Sequence, residues 1–466
     1  MTSEGQSAQE SYKVIILSRD GDRVLLARSG DQFVLPSVAL SAGNRFAETL
    51  TAAVRTDWGA EVLCLFDQDA LAAIDGTGVR YEIAEHWKTS NKPKAPTQWL
   101  SVAALSQDSS IDPRESSAIR KVVAQWHTPT RDSLPGPFAR LGWFRELREW
   151  IRGVIEPQGL HLGDTFCQKN ASPSFSLVRF VTDGPALWFK AVGEPNEREF
   201  PITCTLAQLL PVYLPPILAT RPGCNGWLAL EAEGCKLDET EEIALWRTAA
   251  TTLARLQIKS LDHGTLLLSA GARDLRTVAL SRLVQPFIET MTQLMEEQTK
   301  VLPAALNREE LLWLGDSIQS ALANMEAARV PSALGHLDLN PGNIIVAATK
   351  CVFLDWAEAY IGNPFLSFEY LLEHLRARTD ISASAEALLI ESYCAQWTQV
   401  IPPKALREAL RLTPLLAVFA YATGNDVWTD PQRLREPATA GYLRSLARRM
   451  YREAEKLTPR RSACPH

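Results

Sequence analysis

The chain has 466 residues, of which 46% are hydrophobic and 22% charged, with a formal net charge of −6. That is ordinary globular composition with length for about two to four domains, and the acid excess argues against non-specific binding to nucleic acid. Eight cysteines without a Cys-x-x-Cys pair, a polar stretch at residues 1–11 and a longest apolar run of only residues 412–423 argue against a structural zinc site, an export signal and a bilayer span.

In chain order, Val14-Ile15-Ile16-Leu17 precedes the turn signal Asp20-Gly21, and Val24-Leu25-Leu26 follows, which predicts a β-hairpin. Phe33-Val34-Leu35-Pro36 comes next. An amphipathic helix over residues 45–58 is predicted from Phe46, Leu50, Ala53, Val54 and Trp58 at helical spacing, with Gly59 as its stop. Further strands are expected over residues 79–87 and 98–104, then a helix over 113–126 capped by Asp112.

The order of these elements, and the spacing from Leu35-Pro36 through Gly43 to Gly59, resembles a Nudix domain. That family holds its divalent metal with a glutamate cluster on the helix. Here Ala52 and Ala53 stand at its Arg-Glu pair, Thr56 and Asp57 at its Glu-Glu pair, and Asn44 at its early glutamate. One carboxylate does not replace several anionic oxygens around a metal. The resemblance therefore implies a Nudix-like domain over residues 1–127 without hydrolase activity, serving as scaffold, substrate lid or dimer surface.

Residues 128–137 hold three prolines and a glycine and read as a linker. Residues 141–155 place Leu141, Phe144, Leu147, Ile151, Val154 and Ile155 on one helical face. Residues 175–181 and 186–192 look like antiparallel strands joined at Asp183-Gly184. Lys190 interrupts the second, and a lysine in an apolar strand calls for an anion. Residues 227–234 read as a strand and connecting segment, and 239–256 as a helix. Long helices follow over 275–330 and again from 368 to about 456, with a basic stretch at 444–461.

The most informative stretch is residues 335–371. Gly335-His336-Leu337-Asp338-Leu339-Asn340-Pro341-Gly342-Asn343 leads into Ile344-Ile345-Val346, and a second apolar run, Cys351-Val352-Phe353-Leu354, ends in Asp355-Trp356. If the two runs pair as a hairpin, Asp338, Asn343 and Asp355 converge at one end. An aspartate that accepts a hydroxyl proton, beside an amide oxygen and a carboxylate that hold magnesium, suits phosphoryl transfer. His336 is expected to brace the loop by hydrogen bonding.

His-x-Asp-x-x-x-x-Asn followed by a strand-terminal Asp resembles the catalytic and metal-binding loops of the aminoglycoside phosphotransferase/choline kinase family, which is protein-kinase-like. Ile361-Gly362-Asn363-Pro364 resembles that family's Ile-Gly-Asp-Pro turn, and Leu256-Gln257 stands where the family often has Leu-His. The resemblance covers residues 140–400 and implies an α+β fold: a Nudix-like domain, then an N-lobe over 138–235 and a helical C-lobe over 236–466. It implies transfer of the ATP γ-phosphate to a hydroxyl on a small-molecule acceptor such as a sugar, amino sugar or amino alcohol. Asp338 would act as base, and Asn343 and Asp355 would hold Mg²⁺. Lys190 would position phosphates with Glu199, with Glu197 as the competing partner. Backbone groups near Glu231 and Glu233 would meet the nucleobase.

No Gly-x-Gly-x-x-Gly loop precedes the strands, so ATP versus GTP stays open. Glu358, Glu369 and Glu373 are candidates for lining the acceptor pocket. The competing expectation is a nucleotide- or metabolite-binding sensor. A cytoplasmic monomer or homodimer, with no nucleic-acid or membrane partner, completes the expectations.

Overall fold

The computed structural model describes residues 9–41, 45–65, 80–89, 95–105, 110–127, 138, 140–172, 175–378, 384–424 and 426–458. Gly43, Asn44 and the 128–137 linker lie outside them. The chain divides into two compact units, residues 1–200 with 217–231, and residues 201–216 with 232–466. Among the described residues no helix is long and apolar enough to cross a membrane.

The first unit opens with a seven-stranded sheet. Strand β1 (Gln9–Leu17) pairs antiparallel with β2 (Arg23–Ser29), as Asp20-Gly21 predicts, and Gly21 takes φ +71. Strands β3 (Gln32–Val34) and β4 (Ser37–Ser41) extend it, and β5 (Ala60–Leu65), β6 (Arg80–Thr89) and β7 (Thr97–Ser101) complete it. Strand β6 runs parallel to β1. Helix α1 (Phe46–Trp58) buries Ala47, Leu50 and Val54, and Gly59 ends it at φ +63 with its N–H on the Arg55 carbonyl. Helix α2 (Pro113–His127) starts at Asp112, whose carboxylate accepts the Arg114 N–H at 2.7 Å.

Sequence reasoning did not anticipate β5. Its residues, Ala60-Glu61-Val62-Leu63-Cys64-Leu65, follow the helix stop with almost no turn, and its burial on both faces erases the alternation that marks a half-buried strand.

The same unit contains helix α3 (Trp143–Ile155) and a five-stranded antiparallel sheet. Its strands are β8 (Leu162–Ala171), β9 (Phe175–Thr182), β10 (Leu187–Val192), β11 (Ile217–Arg221) and β12 (Gly226–Leu230), in the order β11-β12-β10-β9-β8. Phe144 on α3 is fully buried and touches both sheets. Its ring centroid lies 5.2 Å from Trp87 on β6, 4.5 Å from Phe166 on β8 and 5.6 Å from Phe180 on β9. One continuous apolar core runs from Ile15 and Leu26 through Phe144 to Phe189 and Leu228. The part read as Nudix-like and the part read as N-lobe thus share their interior.

A polar joint reinforces this core. Gln168 on β8 is 1% exposed and meets the Cys64 backbone on β5 twice, accepting its N–H at 2.9 Å and donating to its carbonyl at 3.1 Å. Beside it, Lys169 pairs with Glu48 of α1. Helix α4 (Glu199–Leu209) begins at the end of the first unit.

The second unit is mostly helical. Strand β13 (Cys235–Lys236) and helices α5 (Ile243–Lys259) and α6 (Gly264–Ser269) lead to β14 (Arg273–Leu275), α7 (Thr277–Glu296) and α8 (Arg308–Ala327). Four short strands follow: β15 (Ala333–His336), β16 (Ile344–Val346), β17 (Cys351–Phe353) and β18 (Ala359–Gly362). Helices α9 (Phe365–Arg376), α10 (Ser384–Trp397), α11 (Pro403–Thr423), α12 (Pro431–Leu434) and α13 (Pro437–Leu457) close it around a large apolar core. The small sheets are β13-β16-β17 and β14-β18-β15. The mixed α+β class expected from the sequence holds.

Candidate active site

The site of the second unit is built on the hairpin the sequence suggested. Strands β16 and β17 pair antiparallel, Ile344 with Phe353, so Asn343 and Asp355 sit at the same end. The Leu354 N–H donates to the Asn343 carbonyl at 2.9 Å, which fixes Asp355 next to Asn343. Asp355 has φ +64 and ψ +59, the left-handed region, and caps a short 3-10 turn over Trp356–Glu358. Aspartate tolerates this conformation better than most residues, and such backbone strain clusters at functional sites.

Asp338 lies on the loop before β16. Its carboxylate accepts from Asn340 Nδ2 at 3.1 Å on Oδ1 and from Asn343 Nδ2 at 3.2 Å on Oδ2, and Tyr370 Oη stands 3.5 Å from Oδ1. Asn343 also donates to the Asp338 carbonyl at 3.0 Å. Its amide nitrogen is turned to Asp338, so its oxygen is the atom that would face a cation. Asp338 and Asn343 thus come together through direct hydrogen bonds.

His336 is buried and braces this loop. Its Nδ1 accepts the Asp338 N–H at 3.1 Å, and Nε2 lies 3.0 Å from the Leu354 carbonyl. A backbone N–H facing Nδ1 and a carbonyl facing Nε2 define the tautomer with the proton on Nε2. One imidazole therefore ties the Asp338 loop to the strand end that carries Asp355.

A deeper layer explains Gly335. A Cβ there would lie 2.0 Å from the Tyr360 ring, its partner across β15 and β18. The space left by the missing side chain admits that ring. Tyr360 Oη then meets Ser367 Oγ at 2.9 Å, and Ser367 Oγ accepts the His336 N–H at 2.7 Å. Gly335, Tyr360, Ser367 and His336 form a continuous support for Asp338.

Asp338 adjoins a cavity of about 310 Å³. Leu337 supplies its near wall. Helix α9 contributes Leu366, Tyr370, Glu373 and His374, and α13 contributes Tyr442, Leu446 and Arg449. These spacings of three and four residues put each set on one helix face. From α11 come Ala417, Val418 and Tyr421, and Tyr370 and Tyr421 stack at 5.9 Å. Burial, and then the negative charge of Asp338, push the Tyr370 hydroxyl up to about 12, so it remains a proton donor. Burial lowers His374 below its usual value.

Of the three acidic residues proposed for this pocket, only Glu373 lines it, paired with Arg449. Glu358 pairs with Arg273 at 2.8 Å and Glu369 with Arg376 at 2.6 Å, and neither is among the cavity's lining residues. Both fall near Asp355 in sequence, but Glu358 ends the 3-10 turn and Glu369 is buried on the helix, each committed to its arginine.

In the first unit, Lys190 Nζ lies 2.7 Å from Glu199 Oε1, with side chains 13% and 1% exposed. The Lys190 ammonium also sits over the rings of Phe175, at 5.3 Å, and Trp227, at 5.8 Å. Glu231 closes the same unit. Its N–H donates to the Ala186 carbonyl at 2.8 Å, and its carboxylate holds Arg179 at 2.7 and 2.9 Å and the Trp188 indole at 3.0 Å. Glu233 lies in the second unit, exposed, 2.6 Å from Lys350.

Asn340, Tyr370, Tyr421 and Arg449 were not singled out from the sequence. Asn340 had a local signal, an amide two residues after Asp338. The others reach the pocket from helices distant in sequence, which no spacing reveals. Among the described residues no group of three or more His, Cys, Asp or Glu side chains could hold a metal ion by itself. The hard-oxygen pair Asn343 and Asp355 fits a magnesium ion that takes most of its remaining ligands from phosphates and water.

Residues 205–411 match the model of the phosphotransferase enzyme family. This segment, 207 of the 466 residues, contains Asp338, Asn343 and Asp355. Solved structures similar to the chain include a macrolide 2'-phosphotransferase, MphH, from Brachybacterium faecium. It is 15% identical, with 65% of this chain and 98% of that one covered and a TM-score of 0.41. A choline kinase from Cryptosporidium parvum Iowa II is 12% identical, with 66% and 96% covered and a TM-score of 0.44. The choline kinase LicA from Streptococcus pneumoniae is 14% identical, with 66% and 99% covered and a TM-score of 0.43. No curated protein matches the chain.

Proposed function

We propose that this protein transfers the γ-phosphate of ATP, with Mg²⁺, to a hydroxyl of a small molecule held in the cavity beside Asp338. The observation that carries the reading is the Asp338 carboxylate. It is oriented by Asn340 and Asn343, lies 3.5 Å from the hydroxyl of Tyr370 in a cavity wall, and is tied through His336 to the strand end that bears Asp355. Asp338 would accept or orient the acceptor's proton. Asn343 and Asp355 would hold Mg²⁺, which when bound neutralises phosphate charge. Lys190, fixed by Glu199, would supply a phosphate-binding cation. Positioning and charge neutralisation provide most of the acceleration in such chemistry.

For residues 1–127 the same reading assigns a scaffold, Nudix-like in its order of elements and without hydrolysis. Supporting this, Glu48, the one glutamate on α1, is taken up by Lys169 of β8. The expected setting is cytoplasmic, with a small-molecule acceptor and no nucleic-acid or membrane partner.

The test is phosphate transfer from ATP across sugars, amino sugars, amino alcohols and hydroxy amino acids, with and without a chelator. Transfer is expected to stop on removal of Mg²⁺ and to fall by about 10²-fold or more in Asp355→Ala. Chelator-resistant transfer would remove the metal role from Asn343 and Asp355.

A further inference from the structure

The cavity beside Asp338 carries an unusual balance of charge. Its lining includes one anion, Glu373, and one cation, Arg449, and they pair with each other. The other polar groups are tyrosine hydroxyls and His374, which burial holds toward its neutral form. Apart from Asp338, whose carboxylate is taken up by Asn340 and Asn343, a polycation entering here would find the lining carboxylate already offset. A simple anion would find the guanidinium already occupied. A neutral polyol would have to leave the ion pair intact and displace water from tyrosine faces.

Resting on the phosphotransfer reading, we propose that the acceptor is a compact zwitterion bearing a hydroxyl, that is, a hydroxylated amino acid. Its carboxylate would take the Arg449 fork, a planar match that favours two parallel hydrogen bonds. Its ammonium would take Glu373 and the faces of the tyrosines, where Tyr370 and Tyr421 stack. The exchange replaces one ion pair with two. Opening the existing pair is inexpensive, because the Arg449 and Glu373 side chains are 37% and 23% exposed and such pairs are weak in water.

Tyr370 Oη reaches Asp338 at 3.5 Å, and Glu373 follows Tyr370 by three residues, so one helix carries both the hydroxyl beside Asp338 and the carboxylate proposed for the ammonium. The cavity of about 310 Å³ has room for a compact molecule of that class.

The experiment compares three matched ligands: a hydroxy amino acid, the amino alcohol lacking its carboxylate and the hydroxy acid lacking its ammonium. Binding is read by calorimetry on the full chain, and transfer from Mg·ATP is read in parallel. The hydroxy amino acid is expected to bind at least about tenfold more tightly than either truncated ligand, as loss of a charge-assisted contact implies. In Arg449→Met the hydroxy amino acid and the amino alcohol should converge to within about threefold, with the change falling on KM rather than kcat. In Glu373→Gln it should converge with the hydroxy acid instead. Equal or tighter binding of the amino alcohol, or of an aminoglycoside, by the wild type would overturn the proposal. Because binding is read apart from turnover, selective binding without transfer would sink the phosphotransfer reading and leave the zwitterion site standing. Transfer to an amino alcohol or sugar without zwitterion preference would do the reverse.

Discussion

Asp338 is held by amides rather than by cations, which shapes what its neighbours contribute. Asn340 and Asn343 donate to its two oxygens at 3.1 and 3.2 Å, and Tyr370 approaches at 3.5 Å, the outer edge of a hydrogen bond. Two amides orient the carboxylate through its two oxygens without bringing a charge of their own. Tyr370→Phe removes the weakest of these contacts and one wall hydroxyl of the cavity. A fall in kcat/KM of about three- to tenfold is expected, with little change in thermal midpoint. A thousandfold loss would instead make the tyrosine hydroxyl part of the chemistry. At this scale Asp338, Asn343 and Asp355 were legible because hydrogen-bonded loops and hairpins are local in sequence. So was His336 as a brace. Tyr421 and Arg449 were not, because their contribution depends on how α9, α11 and α13 pack.

Among the elements, β8 has a role that its sequence conceals. Leu162–Ala171 is mixed in polarity, and its alternation is broken by register shifts against β9. Its Gln168 side chain acts as an extra length of backbone, pairing with both the N–H and the carbonyl of Cys64. Gln168→Ala would leave two buried backbone groups without partners, and a loss of about 2–4 kcal/mol of unfolding free energy is expected by denaturant titration. A loss under about 0.5 kcal/mol would show that water restores both bonds. Helices fared better than strands in the sequence reading. Residues 45–58 and 141–155 were predicted as helices, and the structure has Phe46–Trp58 and Trp143–Ile155. A helical stripe declares its buried face, whereas β5, buried on both sides, shows no period.

For the whole molecule, burial within the first unit has a thermodynamic consequence. Glu82 lies on β6, between β1 and β5 in the seven-stranded sheet, and burial pushes its carboxyl up to about 7. The folded protein holds this proton more tightly than the unfolded chain does. As pH rises from about 4.5 to 7, the unfolded state has released the proton and the folded state has not, so stability falls across that window and is level above it. Glu82→Gln is therefore expected to raise stability by about 2–3 kcal/mol at pH 8 and to change it little at pH 4, read by thermal unfolding at both. Equal effects at the two values would assign the gain to packing. The 128–137 segment reads as a boundary by composition, yet the residues before and after it contribute to one core around Phe144. Composition reports where a chain can bend, not which surfaces it then buries. The central claim is that Asp338 serves phosphate transfer rather than loop structure, and its most direct test is Asp338→Asn measured for Mg·ATP affinity and for phosphate transfer together. The amide keeps the shape and its single oxygen can still accept from Asn340 or Asn343, so the account predicts retained nucleotide affinity with transfer reduced by about 10²- to 10⁴-fold. Transfer within threefold of the wild type would contradict it.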